Sequence, residues 1–265
     1  MLSDSNARLA AARRLTMRRG RGEAGLFLAE GAQAVREALK ASAVVELFAT
    51  AAAIDRHADL WSSAMDAGLR ADEISEKAAA ALSETVTPQG LVAVCRIPSE
   101  SLATLAVASP KLVAVLVEPN DPGNLGTVIR SADAAGADAV ILVGDAVDPF
   151  GGKVVRASVG SIFHLPVICG VDWTLLVDGL RGAGLQLLAT TGAASEDLPA
   201  LAADGRLAQP TAWIFGTEAH GLPDAVIAEC DQAVRVPIYG QAESLNLAVA
   251  AALCLYASAQ QHAAR

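Results

Sequence analysis

The sequence predicts an α/β protein in two parts, the second a parallel sheet with helices on both faces. Residues 112–117 read LVAVLV, an unbroken apolar run of the kind that a strand buried on both faces requires. Beyond that run, short apolar stretches alternate with stretches of helical period, the pattern of repeated strand–helix units. Hydrophobic residues make up 53% of the 265 positions and aromatics only 4%. The core is therefore built from Ala, Val and Leu, and a chain of this length can bury a large one without staples.

In the first part, residues 26–28 (LFL) form a short strand and 32–40 carry helical spacing. Residues 44–48 give a second strand, 75–82 a helix with Ser75 as its cap, and 91–97 a third strand. These make a small α/β domain over 1–98. Residues 99–110 lie between Pro98 and Pro110, are low in charge, and read as a linker or a short connecting helix. From 111 to 265 the predicted strands are 112–117, 139–143, 185–189, 213–215 and 233–236. The helices fall at 125–135, 173–181, 224–229 and 244–257. Asn124 is a natural N-cap for the first of these helices and Gly136 a natural residue just past its end. Ser244 starts the last helix. Leu247 stands where a capping box would need Glu or Gln, so capping alone leaves Asn246 unexplained.

Composition narrows the function. The net charge is −9, which argues against a general nucleic-acid glue, but the charge is uneven. Residues 1–110 hold 12 Lys and Arg against 13 Asp and Glu, and residues 111–265 hold 8 against 16, so a polyanion would meet the N-terminal part first. There the stretch 1–22 contains Arg8, Arg13, Arg14, Arg18, Arg19 and Arg21. It reads as an RNA-contacting arm, a solvated amphipathic helix or an organellar transit peptide. No apolar run reaches the about 18 residues of a membrane span. Cys95, Cys169, Cys230 and Cys254 form no C-x-x-C pair and read as buried free thiols in a reducing, cytoplasmic compartment. The four histidines lack metal-ligand spacing, and no metal is expected.

The common cofactor and nucleophile motifs are missing. Residues 118–126, EPNDPGNLG, are not the G-x-G-x-x-G of a dinucleotide fold. Phe150-Gly151-Gly152-Lys153 fails as a P-loop, and there is no G-x-S-x-G elbow. In parallel sheets ligands sit outside the carboxyl ends of strands, which directs attention to the loops after Val117, Ala189, Phe215 and Val236. The first loop opens the helix that carries Arg130, placed among Val128, Ile129 and Ala132, where a half-buried guanidinium needs a phosphate or carboxylate partner. Lys153 and Arg156 lie one turn apart on a predicted helix. Gly216 and Gly221, then Pro237 and Gly240, shape two loops able to hold a small planar ligand through backbone groups.

Taken together these stretches resemble the SpoU (TrmH-like) branch of the SPOUT RNA methyltransferases. The residues carrying the resemblance are Asn124 and Arg130 in NLGTVIR, then Arg156-Ala-Ser158-Val-Gly160. The third set is Gly216 to Leu222 followed by Pro237 to Asn246, ending in Ser244-Leu245-Asn246. They occur in family order over 113–258. LFLAEG (26–31) and TPQGLVAV (87–94) are similar to the family's small ribosomal-protein-like RNA-binding domain. The finer likeness is to the rRNA enzymes of the thiostrepton-resistance type.

The resemblance implies a SPOUT trefoil-knot catalytic domain over 111–265, preceded by an RNA substrate-binding domain over 1–98 with the basic arm 1–22. It implies methyl transfer from S-adenosylmethionine to a ribose 2′-hydroxyl, in ribosomal (23S-type) RNA. A tRNA 2′-O-methyltransferase and a non-catalytic RNA-binding protein of the same fold are the alternatives. It implies a catalytic set of Arg130, Asn124, Glu218, Ser244 and Asn246, with Arg130 stabilising the developing alkoxide. The cofactor would lie across Thr190, Thr191, Gly192, Phe215, Gly216, Thr217, Gly221, Val236, Ile238 and Leu245. RNA would meet the six arginines of the arm with Lys153 and Arg156. A homodimer through the knot domain is expected, with no membrane partner.

Overall fold

The computed structural model describes residues 1–217 and 220–263. They group into two compact units, Met1–Pro98 with Asp148–His164, and Ser99–Val147 with Leu165–Arg265.

The first unit begins with α1 (Ala7–Arg14) and α2 (Arg18–Ala24), followed by β1 (Leu26–Glu30), α3 (Ala32–Lys40), β2 (Val44–Ala49), α4 (Ala51–Arg56) and α5 (Ala58–Asp66). β3 (Arg70–Glu73), α6 (Glu76–Leu82) and β4 (Leu91–Arg96) complete it. The sheet order is β1-β4-β2-β3, with β4 antiparallel to β1 and β2, and β2 parallel to β3. Ser75 caps α6 as expected, its hydroxyl accepting from the Ala78 N–H at 3.0 Å. The stretch 1–22, which composition left open, is folded. Leu9, Ala12 and Leu15 are buried with Leu28, Phe48, Ala78, Leu82 and Val92. β3 was not anticipated because its sequence, RADE, is polar; it pairs on one side only, at the sheet edge.

The second unit opens with α7 (Leu102–Val107), which settles the reading of 99–110 in favour of a connecting helix. Ser101 and Thr104 form its capping box, and Leu102 lies where a side chain at Gly179 would stand, 2.8 Å from its built Cβ. β5 (Leu112–Val117), α8 (Pro122–Ala134) and β6 (Ala139–Val143) follow. The chain then runs through α9 (Gly152–Ser158), which belongs to the first unit, before returning in β7 (Val167–Val171), α10 (Trp173–Gly182), β8 (Gln186–Thr190), α11 (Leu198–Ala203), β9 (Thr211–Phe215), α12 (Asp224–Ala228), β10 (Gln232–Val234) and α13 (Leu247–Ala263). All six strands are parallel, in the order β10-β8-β9-β5-β6-β7. β5 is buried at every position, as its unbroken apolar run requires. α13 covers part of one face, and the buried Trp213 indole N–H of β9 donates to the buried Ser258 hydroxyl of α13 at 2.9 Å.

Residues Asp148–His164 interrupt the single stretch expected over 111–265. Phe150 and Phe163 pack their rings 5.1 and 5.7 Å from that of Phe27 in β1. The Arg21 guanidinium donates to the Asp148 carboxylate from Nε at 2.8 Å and pairs through Nη2 at 2.7 Å, while Nη1 donates to the Leu15 carbonyl at 2.8 Å. Gly160 has φ +95°, and a Cβ there would stand 2.7 Å from Glu37 Cγ, so both conformation and space demand glycine. Arg21 and Asp148 lie 127 residues apart in the chain, and no periodicity in sequence reports such a pairing.

Arg21 and Asp148 side chains are only 7% and 16% exposed. Removing one partner of a buried pair strands the other charge. Asp148→Ala is therefore expected to destabilise the first unit by about 3–5 kcal/mol, read as a lowered urea midpoint; an unchanged midpoint would contradict the role of this pair.

Candidate active site

The strand order gathers the loops singled out from sequence. β10, β8, β9 and β5 are consecutive and parallel, so the segments that leave their carboxyl ends lie at one edge of the sheet. These are 118–124 after β5, 191–192 after β8, 216–217 after β9 and 235–246 after β10. Chain order also reverses here. β6 and β7 are added on one side of β5, whereas β9 is inserted between β5 and β8. A reversal of this kind opens the crevice where parallel sheets bind ligands.

The two asparagines meet at that edge. Asn246 Nδ2 donates to Asn124 Oδ1 at 2.9 Å. How they come together departs from the sequence reading. Asn124 is not the cap of α8. Asp121 is, its Oδ1 accepting from the Asn124 N–H at 2.7 Å, with Pro122 in the first turn. Nor does the last helix begin at Ser244. Asn246 caps α13, its Oδ1 accepting from the N–H of Ala248 at 2.9 Å and of Val249 at 3.4 Å. Each shift has one cause: the residue whose side-chain oxygen reaches the second or third helical N–H wins the cap. Asp121 takes that task, so the Asn124 side chain is turned to Asn246. The cap in turn fixes the orientation of Asn246. Glu118, which precedes this loop, holds φ +50°, a conformation uncommon for a residue with a side chain and often found near functional sites.

Arg130 does not sit as its sequence neighbours suggested. Val128, Ile129 and Ala132 are buried, but Arg130 is exposed. Adjacent residues on a helix do not share a face; Arg130 shares one with Thr127, three positions earlier, which is also exposed. Among the described residues Arg130 makes no hydrogen bond or ion pair. Ser244 is exposed and likewise without a hydrogen bond among the described residues, and Leu245 is half-buried. Glu218 lies outside the described residues.

The expected cofactor loops have a consistent chemistry. The Thr190 hydroxyl donates to the Ile214 carbonyl at 3.0 Å and the Thr191 N–H to the Val234 carbonyl at 3.0 Å, which ties three strand ends together. The Phe215 side chain is wholly buried in the core, so that residue can offer a ligand only its backbone. Gly216 approaches the backbone of Gly221 and Leu222 so closely that a Cβ would stand 2.1 Å from the Gly221 carbonyl carbon, and Thr217 and Gly221 exchange backbone hydrogen bonds across the turn. By contrast, Gly192, Val236 and Ile238 make no backbone hydrogen bond among the described residues. Unpaired N–H and C=O groups at a partly covered edge suit a ligand held through the backbone, so the residues present fit an adenosyl-type cofactor.

The expected RNA-contacting residues divide. Arg8 bonds Glu46 at 2.9 Å and Asp72 at 2.7 Å, and its guanidinium lies 5.6 Å from the Phe48 ring centroid. Arg21 is held by Asp148, and Arg156 stands 3.6 Å from Glu30 and is 29% exposed. These three are engaged in ion pairs within the first unit. Sequence showed only Asp4 and Glu23 near the arm, because the acids that take Arg8 and Arg21 come from distant segments. Arg19 pairs with Glu23 at the surface, at 2.7 Å. Arg13, Arg14 and Arg18 are exposed, with no ion pair among the described residues, and Lys153 is exposed.

Burial raises the thiol pKa of Cys95 and Cys254, and pushes Cys230 up to about 12, assisted by Asp231; Cys169, expected to be buried, is exposed. Among the described residues no group of three or more His, Cys, Asp or Glu could hold a metal ion, and no helix is long and apolar enough to cross a membrane.

A parallel sheet whose strand order reverses, with open loops at that edge, is the architecture of an α/β ligand-binding domain, and comparison with known proteins gives the family. Residues 111–256 match the SpoU rRNA Methylase family and residues 6–93 the MRM3-like substrate binding domain. The chain belongs to the SpoU rRNA methylase family. It is 37% identical over 247 residues to the 23S rRNA (guanosine(2553)-2′-O)-methyltransferase RlmP of Bacillus subtilis, covering 92% of each chain. Among solved structures it is similar to the AdoMet-bound rRNA methyltransferase of Sinorhizobium meliloti, with TM-score 0.85, 31% identity, and 98% and 97% of the two chains covered. It is also similar to the SpoU methyltransferase AviRb of Streptomyces viridochromogenes in complex with AdoMet, with TM-score 0.83, 30% identity, and 98% and 100% covered.

The cap assignment has a direct check. Asn246→Ala is expected to lower stability by about 1 kcal/mol, and Asn246→Asp to keep most of it, because a carboxylate caps as well as an amide. Equal loss in both variants by thermal unfolding would remove the cap from the account.

Proposed function

We propose that the chain transfers a methyl group from S-adenosylmethionine to a ribose 2′-hydroxyl of ribosomal RNA of the 23S type. The observation that carries this is the Asn124–Asn246 hydrogen bond at the switch edge of the sheet, in a chain whose family is one of rRNA methylases. The AdoMet named for two similar structures supports the same cofactor here.

When bound, the cofactor supplies the methyl group. Thr190, Thr191, Gly192, Gly216, Thr217, Gly221, Val236, Ile238 and Leu245 would hold it, mostly through backbone groups, with Phe215 contributing its backbone alone. The ribose hydroxyl is a weak acid, and methylation requires its oxygen to gain negative charge while its proton passes to solvent water. A guanidinium stays protonated and cannot readily accept that proton. Arg130 therefore acts as an electrostatic stabiliser of the developing alkoxide and the adjoining phosphate. Its exposure, with no ion pair among the described residues, leaves the guanidinium available to an anion. Asn246 is fixed by its own helix and steadies Asn124, so the pair presents a preset edge to the ribose, with Ser244 on the same segment. Glu218 is proposed as a further partner for Arg130 or for the loop backbone. On the first unit Arg13, Arg14, Arg18 and Lys153, with Arg19, meet the RNA backbone. Surface pairs such as Arg19–Glu23 are weak enough to exchange for a phosphate.

The exposed face of α13 supports a homodimer. Its face of Leu247, Ala251, Cys254, Leu255 and Ser258 is buried, yet Val249, Leu253 and Tyr256 are 48%, 45% and 45% exposed. They line an open, mainly apolar groove of about 620 Å3 that reaches Asn124 and Asn246. Contiguous exposed apolar surface of this kind marks an interaction site, and a second copy offering the same face is its proposed occupant.

Two measurements check these readings. Arg130→Ala is expected to lose methyl transfer to RNA by at least about 100-fold, the scale of one transition-state donor, while S-adenosylmethionine affinity by calorimetry stays near normal. Substantial turnover by that variant would sink the assignment. Light scattering at micromolar concentration is expected to give a dimer for the wild type and a monomer for Leu253→Glu; a wild-type monomer would contradict the dimer.

A further inference from the structure

In the first unit, the end of α1, the turn into α2 and the outer side of α6 enclose a groove of about 520 Å3. Arg13, Arg14 and Met17 line one side and Ala78, Ala81 and Leu82 the other. Its floor is apolar, with Ala78 and Leu82 buried and Ala81 half-buried. Its rim carries the Met17 side chain, 68% exposed, and two exposed guanidiniums that make no ion pair among the described residues. The acid that lines the groove, Asp4, is already engaged by the Ser75 hydroxyl at 2.6 Å and Lys77 at 4.0 Å. Two cations in the last turn of α1 favour that helix end, but this explains neither the open apolar floor nor an exposed thioether beside it.

An apolar slab bordered by two exposed guanidiniums matches the two halves of an unpaired nucleotide. Unstacked bases are held between aromatic or apolar side chains, and phosphates take charge-assisted hydrogen bonds from Arg. We infer that this groove receives one unpaired nucleotide of the RNA substrate, its base laid on Ala78, Ala81 and Leu82 and its phosphate held by Arg13 and Arg14. The inference rests on the RNA-substrate reading and goes beyond it. The N-terminal arginines then act at a shaped subsite that prefers single-stranded RNA, rather than as a diffuse positive charge.

Filling the groove separates the two. Ala81→Leu adds bulk on the floor without changing charge. Its affinity for single-stranded oligouridine is expected to fall about tenfold, with the slope of log K against log salt unchanged and affinity for an RNA duplex of equal length unaffected. Met17→Ala, at an exposed position that cannot disturb the core, is expected to lose about threefold in the same direction. Replacing Arg13 and Arg14 together by Gln is expected to flatten the salt slope by about 1 for both RNAs. Thermal unfolding and S-adenosylmethionine affinity serve as controls of folding. Wild-type binding by both Ala81→Leu and Met17→Ala overturns the groove while leaving a purely electrostatic arm intact. A wild-type protein that binds S-adenosylmethionine but neither RNA overturns the RNA-substrate reading instead.

Discussion

The parallel run β10-β8-β9-β5 is the constraint from which the site follows. Parallel strands carry all their exits to one edge, so four loops separated by as many as about 120 residues are brought side by side without any contact of their own having to gather them. The insertion of β9 between β8 and β5 is what reverses the chain order and opens the crevice at that edge. The sheet in turn depends on β5, buried at all six positions. A polar residue there would face a helix on either side with no water and no partner. The Trp213–Ser258 hydrogen bond pins α13 to the same sheet, which places the start of that helix relative to the loops.

On this frame the helix starts do chemical work. Asp121 and Asn246 satisfy N–H groups that every helix leaves open at its beginning. Because Asp121 performs this for α8, Asn124 is released to meet Asn246, and because Asn246 performs it for α13, its amide is held in one orientation. A local requirement of secondary structure thus presets a polar pair, which would lower the ordering cost of reaction with the proposed ribose substrate.

Charge is partitioned by the same logic of who can reach whom. In a chain of net charge −9, Arg8, Arg21 and Arg156 are taken by Glu46, Asp72, Asp148 and Glu30. These pairs join distant segments of the first unit, including the excursion Asp148–His164. The basic residues left at the surface, Arg13, Arg14 and Arg18 among them, give this acidic protein a local positive face. A polyanion responds to that local field over a Debye length, about 8 Å at physiological salt, and not to the net charge.

The sequence by itself determined the strand–helix alternation, the buried parallel strand at 112–117, the capped helix after Ser75, and the motif residues that place the chain in its family. All of these are local signals: period, unbroken apolarity, turn and cap residues, and spacing within one loop. Tertiary structure alone decided that Asn124 meets Asn246, and that Arg8, Arg21 and Arg156 are taken by carboxylates of distant segments. It also decided that Asp148–His164 folds with the first unit. Each of these depends on a contact between residues tens to more than a hundred positions apart, and the side chain that wins a donor or a carboxylate is set by three-dimensional reach, which no sequence periodicity encodes.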